Sequence, residues 1–152
     1  MNKPLPPTYL LVALLAIGAL HWLLPGPQLV HAPWRYLGVL PVGAGVWLNL
    51  WADGLFKRLG AEVRPFRDST ILVSAGPYRF SRNPMYLGML SLVLGTALLA
   101  GSTMPFVVVL LLGWLLRAQF VIPEEAAMRR QFGAQYEEYA RQVGRWLGRR
   151  AA

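Results

Sequence analysis

Two short polar segments, each beside a long apolar run, hold the residues of this chain that are best suited to chemistry. The first, residues 76–88, has the sequence GPYRFSRNPMYLG and carries a cation at Arg82. The second follows Pro123 with two adjacent acids, Glu124 and Glu125. Ionised side chains at membrane depth are costly, and those that occur there tend to be paired or functional. We therefore predict that the two segments together close one site at a membrane surface.

The residue types exclude several other kinds of site. The chain has no cysteine, which rules out disulfides, thiolate metal ligands, iron–sulfur ligation and a cysteine nucleophile. Its two histidines, His21 and His31, have no carboxylate near them in the sequence. We therefore predict no metal site, and any catalysis has to use other groups.

The elements that must position these residues are predicted to be membrane-spanning helices. The chain is 55% hydrophobic and 14% charged, with a mean hydropathy of +0.40. Lys, Arg, Asp and Glu are absent from residues 4–34, 36–52 and 83–116, and a spanning helix needs about 20 mostly apolar residues. This pattern predicts an all-α integral membrane protein with a single membrane domain over residues 1–152.

About four spans are predicted, at residues 9–24, 34–51, 85–100 and 104–122. The last two form a helical hairpin, because Gly101, Ser102 and Pro105 interrupt an apolar run that is too long for one helix. The first span is expected to be a retained anchor and not a signal peptide, since it has a long apolar core, only Lys3 before it and no clear small-x-small cleavage site.

The basic residues predict the orientation of the spans. With four spans, both termini, a loop at 52–84 and the segment 123–152 lie on one side of the membrane and hold 13 of the 15 Lys and Arg residues. Arg117 lies in the half of the fourth span nearer that side, and only Arg35 falls opposite. The positive-inside rule makes that side the cytoplasmic face of the inner membrane. Topology and attraction to anionic headgroups explain the net charge of +8, so no nucleic acid partner is expected.

A further helix is predicted after Pro123, because proline suits the first helical turn and acids there complement the helix dipole. In a continuous helix, one narrow stripe holds Glu125 together with Phe132, Tyr136, Tyr139, Val143 and Trp146. Glu124 falls outside this stripe. The arginines around it favour an amphipathic helix in the headgroup region, whereas a break at Gly133 would void the stripe.

Several motifs in the C-terminal half carry a family resemblance. They are GPYR at 76–79, RNPMYLG at 82–88, the acid pair at 124–125, and FG at 132–133 with Tyr136 and Tyr139. In this order they resemble the isoprenylcysteine carboxyl methyltransferase and phospholipid methyltransferase superfamily. The resemblance implies a small integral membrane methyltransferase that uses S-adenosylmethionine, bound where the cytoplasmic end of the hairpin meets the C-terminal segment.

The resemblance also implies a set of site residues. Those expected to bind the cofactor are Tyr78, Arg82, Asn83, Pro84, Tyr86, Gly88, Glu124, Glu125 and Tyr136, and those expected to be catalytic are Glu125, Arg117 and Asn83. S-adenosylmethionine carries a carboxylate, an ammonium and a sulfonium group. Arg82 would hold the carboxylate through a bidentate fork, and Glu125 with Glu124 would hold the ammonium. Structural alternatives are a snorkelling Arg82, an interfacial Tyr86 and a Gly88 that packs against another helix.

The chain departs from the family pattern at two places. Asn83 stands where many members have histidine, and an amide cannot act as a base at neutral pH. The carboxyl methyltransferases of the family also tend to have an arginine a few residues before the acid pair, where this chain has Gln119 and, deeper in the span, Arg117.

The expected function is methyl transfer from S-adenosylmethionine to a lipid-like or apolar small molecule at the cytoplasmic membrane face. The expected partners are the lipid bilayer and this lipophilic substrate. Two other classes stay open. An NADPH-dependent membrane reductase would need more converging basic residues for its phosphates, and a non-catalytic membrane protein would bind no ligand.

Overall fold

The structure, a computed structural model, describes residues 4–58 and 72–148, and in these two ranges the chain is helical. The α-helices are α1 (Pro6–Leu23), α2 (Val39–Arg58), α3 (Pro84–Ala100), α4 (Thr103–Leu116), α5 (Ile122–Phe132) and α6 (Ala134–Gln142). Single 3₁₀ turns at Trp34–Gly38 and Gly76–Arg79 precede α2 and α3, and a π-helical turn, Arg117–Val121, joins α4 to α5. The described residues contain no strand, only one isolated bridge between Gln28 and Ser102.

Three helical stretches are long and apolar enough to cross a membrane: Pro6–Leu23, Trp34–Arg58 and Thr103–Phe132. The all-α membrane class is therefore confirmed. Helix α3 is apolar but has 17 residues, which at 1.5 Å per residue gives about 26 Å against a hydrocarbon core of about 30 Å. The count of four spans stays a prediction.

Helix α3 lies at the centre of the bundle, and glycines bring α2 close to one side of it. A Cβ atom added to Gly45 of α2 would lie 2.5 Å from the carbonyl oxygen of Gly88 in α3. One added to Gly95 of α3 would lie 2.5 Å from the carbonyl oxygen of Gly38. Small residues of this kind allow backbones to approach closely inside a membrane. The α2–α3 contact therefore depends on having no side chain at these positions.

The other side of α3 packs against α1 and α4. The buried side chains of this core are mostly aliphatic: Ala13, Ile17, Tyr86, Met89, Val93, Ala97, Val108, Leu112, Leu116, Phe120 and Val121. Its residues come from every long helix except α2, because α2 makes its contact through glycine backbone instead.

The predicted hairpin turn between α3 and α4 is confirmed. Gly101 has φ +75°, a conformation that glycine adopts without strain. Its carbonyl oxygen accepts hydrogen bonds from the backbone N–H groups of Leu29 (2.8 Å) and Val30 (3.0 Å). The Ser102 hydroxyl lies 3.1 Å from Nδ1 of His21. The segment after α1 thus crosses the turn and fixes it.

The structure adds detail at two of the predicted boundaries. Helix α2 continues to Arg58, into the predicted loop 52–84, where Lys57 pairs with Asp53 at 2.6 Å. Residues 59–71 of that loop, like 1–3 and 149–152, lie outside the described residues. The helix predicted after Pro123 is not continuous, because Gly133, at φ +50° and ψ −122°, ends α5 before α6 begins.

Tyr136 and Tyr139 nevertheless share one buried cluster. They pack with Val143 against Leu72, Met128, Phe132 and Ala140. The bend at Gly133 thus folds α6 back onto the protein and buries these two tyrosines, and the location of this segment in the headgroup region stays a prediction.

A candidate site of buried charges

The start of α3 and the end of the described chain are joined by backbone hydrogen bonds. The N–H of Arg82 donates to the carbonyl oxygen of Gly144 (3.0 Å), and the N–H of Gly148 donates to that of Phe80 (3.1 Å). Pro84 is the first residue of α3, and Asn83 before it makes no side-chain cap. The Asn83 amide is therefore free to turn towards the acids of α5.

Glu125 is the centre of the site and is only 3% exposed. Arg145 donates to both of its carboxylate oxygens, from Nε to Oε1 at 3.0 Å and from Nη2 to Oε2 at 2.7 Å. Nη1 of Arg82 lies 3.5 Å from Oε1, and the Asn83 amide nitrogen is also 3.5 Å from it. Two guanidinium groups thus share one carboxylate. The Asn83 amide also donates a hydrogen bond of 3.2 Å to the backbone carbonyl oxygen of Arg145, and so connects Arg145 to Glu125 a second time.

Arg145 was not among the predicted site residues. The sequence groups it with the arginines around the C-terminal helices, and it lies 20 residues from Glu125 and 62 from Asn83. No local spacing links residues that far apart. Its hydrogen bonds to Glu125 raise the pKa of its guanidinium, although burial works in the opposite direction.

The positive charge of this cluster is not fully balanced. Arg82 and Arg145 face the single Glu125, and Nε of Arg82 is buried without a hydrogen-bond partner among the described residues. The hydroxyl of Tyr136 accepts only a long hydrogen bond, 3.4 Å, from Nη1 of Arg82. Burial raises the pKa of Tyr136, and so keeps that hydroxyl neutral. Arg82 can therefore still take an anionic group.

Glu124 occupies a different environment from Glu125. The Tyr86 hydroxyl donates to its Oε1 at 2.6 Å, and in the described part of the chain Glu124 belongs to no ion pair. Tyr78 lies close by, its ring 5.5 Å from that of Phe56, and its backbone oxygen accepts a hydrogen bond of 2.7 Å from Tyr139. Burial, with Tyr139 and Glu124 near it, raises the pKa of Tyr78. Glu124 is thus a carboxylate with acceptor capacity to spare.

The π-helical turn before the two acids places the Phe120 ring next to the ring of Tyr86. Phe120, in that turn, lies 6.0 Å from the Tyr86 ring and 5.5 Å from the Tyr9 ring. The Tyr9 hydroxyl donates to Gln119 at 3.0 Å. Such wide turns are frequent at functional sites, and nothing in the sequence reasoning anticipated this one.

Two predicted residues lie apart from the cluster. The close approach at Gly88 is made by α2, whose Asn49 side chain and Gly45 carbonyl oxygen occupy the space that a Cβ atom would enter. Helix packing, the structural alternative for Gly88, therefore describes its surroundings in the structure, and its contact with the cofactor stays a prediction. Arg117 is exposed and borders a separate cavity of about 470 Å³ with Trp114 and Trp146.

The site as a whole has the charges that a zwitterionic ligand requires. It offers one unpaired cationic N–H at Arg82 and one carboxylate outside any ion pair, Glu124. The described residues contain no group of three His, Asp or Glu side chains that could hold a metal ion. The six predicted residues that the structure brings together are Tyr78, Arg82, Asn83, Tyr86, Glu124 and Glu125, with Pro84 and Tyr136 at their border.

Comparisons with known proteins give a consistent result. Residues 34–135 match the family described as phospholipid methyltransferase. The chain is 33% identical over 78 residues to a probable protein-S-isoprenylcysteine O-methyltransferase of Oryza sativa subsp. japonica, covering 51% of this chain and 41% of that protein. It is 34% identical over 73 residues to the protein-S-isoprenylcysteine O-methyltransferase of Schizosaccharomyces pombe, covering 48% and 31%.

The protein-S-isoprenylcysteine O-methyltransferase of Saccharomyces cerevisiae gives a similar match, 34% over 74 residues, covering 49% of this chain and 31% of that protein. The chain thus spans less than half the length of the curated relatives it matches. No solved structure gives a significant match.

Proposed function

The chain belongs to the phospholipid methyltransferase family, and from that premise we propose that it transfers a methyl group from S-adenosylmethionine to a lipid-like or apolar small molecule at the cytoplasmic face of the inner membrane. One observation carries the proposal. The two motifs of the family resemblance converge on one buried site, with the Asn83 amide 3.5 Å from Glu125 and the Tyr86 hydroxyl 2.6 Å from Glu124.

The residues of the site fit the charged groups of this cofactor. The free Nε–H of Arg82 suits a carboxylate. Glu124 suits an ammonium group, because it accepts a hydrogen bond from Tyr86 and has no cationic partner among the described residues. When bound, S-adenosylmethionine supplies an electrophilic methyl group on its sulfonium.

Glu125 and Asn83 have a positioning role in this proposal. The sequence predicted that Glu124 and Glu125 together hold the ammonium group of the cofactor. In the structure, Glu125 already accepts hydrogen bonds from Arg145 and lies beside Arg82. It therefore holds the two guanidinium groups in place. Asn83 carries no proton-accepting imidazole and braces Arg145. Holding the reactants in line in a water-poor site can supply much of the acceleration of methyl transfer without a base.

The test uses the purified protein in lipid nanodiscs. We expect calorimetry to show binding of S-adenosylmethionine and of its demethylated product, and much weaker binding of NADPH. Membranes given methyl-labelled cofactor should then transfer label to a lipid-soluble product. Tighter binding of NADPH would identify a reductase instead, and no heat with any of the three compounds would indicate a non-catalytic membrane protein.

A further inference from the structure

Helix α1 makes side-chain contacts with the rest of the bundle near both of its ends. Near its C-terminal end, Nδ1 of His21 lies 3.1 Å from the Ser102 hydroxyl at the hairpin turn. Near its start, the Tyr9 hydroxyl donates to Gln119 of the π-helical turn at 3.0 Å. Helix α1 lies outside the residues that match the family. A helix from outside that match is therefore tied to the turn that leads into the two acids.

The π-helical turn determines the direction in which the two acids point. The N–H of Ile122 donates to the carbonyl oxygen of Arg117, five residues back instead of four. The turn thus contains one residue more than a regular α-helical turn. With a regular turn in its place, Glu124 and Glu125 would be rotated by about 100° around the helix axis. The position of both carboxylates relative to α3 therefore depends on this turn.

Pro123 explains why the helix is irregular at this point. In a regular α-helix, a proline removes the hydrogen bond to the carbonyl group four residues earlier, and its ring clashes with that carbonyl group. The carbonyl group concerned here is that of Gln119. A kink would relieve the same clash, so the proline alone does not determine a π-helical turn. Contacts made by the turn have to select it.

Tyr9 makes such a contact. Its ring meets the Phe120 ring edge-on, with the centroids 5.5 Å apart and the planes at 78°. Phe120 is only 1% exposed. Its ring also lies 6.0 Å from that of Tyr86, whose hydroxyl donates to Glu124 at 2.6 Å. A series of three contacts therefore leads from α1 to the carboxylate that is proposed to bind the ammonium group.

We propose that Tyr9 is a positioning residue of the candidate site. It holds the π-helical turn through Gln119 and Phe120. In this way it keeps Tyr86 and Glu124 in the arrangement that binds the ammonium group of S-adenosylmethionine. The effect on the cofactor rests on the function proposed above. The effect on Tyr86 does not, since it depends only on contacts within the chain.

The first measurement follows Tyr86 in the absence of any cofactor. Fluorotyrosine is incorporated at the six tyrosines, and the fluorine NMR resonance of Tyr86 is assigned by its loss in Tyr86→Phe. Tyr9→Leu should shift or broaden this resonance, because the ring contact and the hydrogen bond of Tyr9 are both lost. Ile17→Ala is the control. Ile17 is buried in the same helix, at 2% exposure, so its truncation should lower thermal stability without moving the Tyr86 resonance.

The second measurement is the dissociation constant for the demethylated product of S-adenosylmethionine, by calorimetry in lipid nanodiscs. Tyr9→Leu should raise this constant about 5-fold, the order expected for the loss of one aromatic pair. Tyr9→Phe keeps the ring and should raise it less, and Ile17→Ala should leave it unchanged. Because the effect passes through Glu124, Tyr9→Leu should cause little further loss of affinity when it is combined with Glu124→Gln.

A Tyr86 resonance that does not move in Tyr9→Leu would overturn the proposal. An unchanged dissociation constant in that variant would also overturn it. Fully additive losses of affinity in Tyr9→Leu and Glu124→Gln would do the same, as would an equal loss in Ile17→Ala, since both would indicate a general loss of packing. If Tyr9→Leu fails to fold, the same measurements on Tyr9→Phe decide the question.

The two measurements also keep this proposal apart from the proposed function. If the wild-type protein does not bind the demethylated product but the Tyr86 resonance moves as expected, the proposed function fails and the positioning of Tyr86 by α1 stands. If the wild-type protein binds that compound but neither the resonance nor the affinity responds to Tyr9→Leu, only the role of Tyr9 fails.

Discussion

The two ends of the helical bundle are built from different kinds of interaction. At the hairpin turn, backbone groups bond to backbone groups: Leu29 and Val30 donate to Gly101, and the Thr103 N–H donates to Pro27 at 3.0 Å. At the other end, Arg82 before α3 and Arg145 after α6 both contact Glu125 of α5, and the side chain of Arg82 is only 9% exposed. The hairpin end is held by backbone hydrogen bonds, and the other end contains a cluster of charged side chains.

The two ends of the bundle also differ in the sign of the charged residues that they contain. The hairpin end has a cation, Arg35, which lies over the Tyr36 ring at 5.3 Å and has a buried Nε without a partner in the described residues. It has no anion, because residues 4–34, 36–52 and 83–116 contain no acid. The end at Glu125 has both signs. Removing Arg82 and Glu125 from water is costly, and we interpret that cost as the mark of a ligand site.

The largest difference between the two ends is expected in which of them faces the cytoplasm. The chain has no cysteine, so a single cysteine can be introduced at exposed His31 or at exposed Gln142. We expect an impermeant thiol reagent to label position 31 but not position 142 in intact cells, because the basic residues collect at the other end. Both positions should react after permeabilisation. Labelling of position 142 alone in intact cells would reverse the orientation.

The next largest effect is expected from removing the centre of the charged end. Glu125→Ala leaves Arg82 and Arg145 without their shared carboxylate, so the free energy of unfolding should fall by about 3–5 kcal/mol. The change is measured by reversible unfolding in mixed micelles. Glu138→Ala is the control, because Glu138 and its partner Arg141 are exposed and exposed pairs contribute little to stability. Similar losses in both variants would show that Glu125 is not the centre of the site.

Glu124 should behave in the opposite way to Glu125. Glu124→Gln keeps an acceptor for Tyr86 but removes the negative charge, so the dissociation constant for S-adenosylmethionine should rise about 10-fold or more while unfolding changes little. Calorimetry and thermal unfolding are measured on the same sample. Glu137→Gln, which loses only its exposed pair with Arg129, should leave cofactor binding unchanged. A loss of stability without a loss of affinity would assign Glu124 a structural role.

The smallest effect is expected at the hairpin end. Gly101→Ala forces a side chain into positive φ, which costs about 1–2 kcal/mol, and its Cβ atom would lie 2.5 Å from the Val30 carbonyl oxygen. The free energy of unfolding should fall, and cofactor affinity should stay the same. Gly18→Ala, where nothing lies within 4 Å, is the control. A change in cofactor affinity for Gly101→Ala would couple the two ends and weaken the distinction between them.

Much of the architecture could be predicted from local sequence signals. Proline and glycine at the helix boundaries placed the hairpin turn, and charge-free runs placed the helices. Two helix ends show details that the patterns left open: α2 continues past Ala52, with an ion pair between Asp53 and Lys57 along it, and Gly133 adopts a backbone angle that ends α5. Glycine permits that angle but does not require it, so its presence alone could not decide the break.

The candidate site was only partly predictable. Short motifs in the sequence predicted which residues belong to it, but the contacts between those residues join positions that are far apart in the chain. The sequence by itself determined the all-helical membrane class, the hairpin, and the two motifs that carry the family resemblance, since each depends on residues close together in the chain. Only the tertiary structure decided that Arg145 neutralises Glu125, that Glu124 remains available beside Tyr86, and that Gly88 packs against α2. The physical reason is that the partner of a buried charge is set by the path of the chain between distant elements, and no spacing in the sequence records that path.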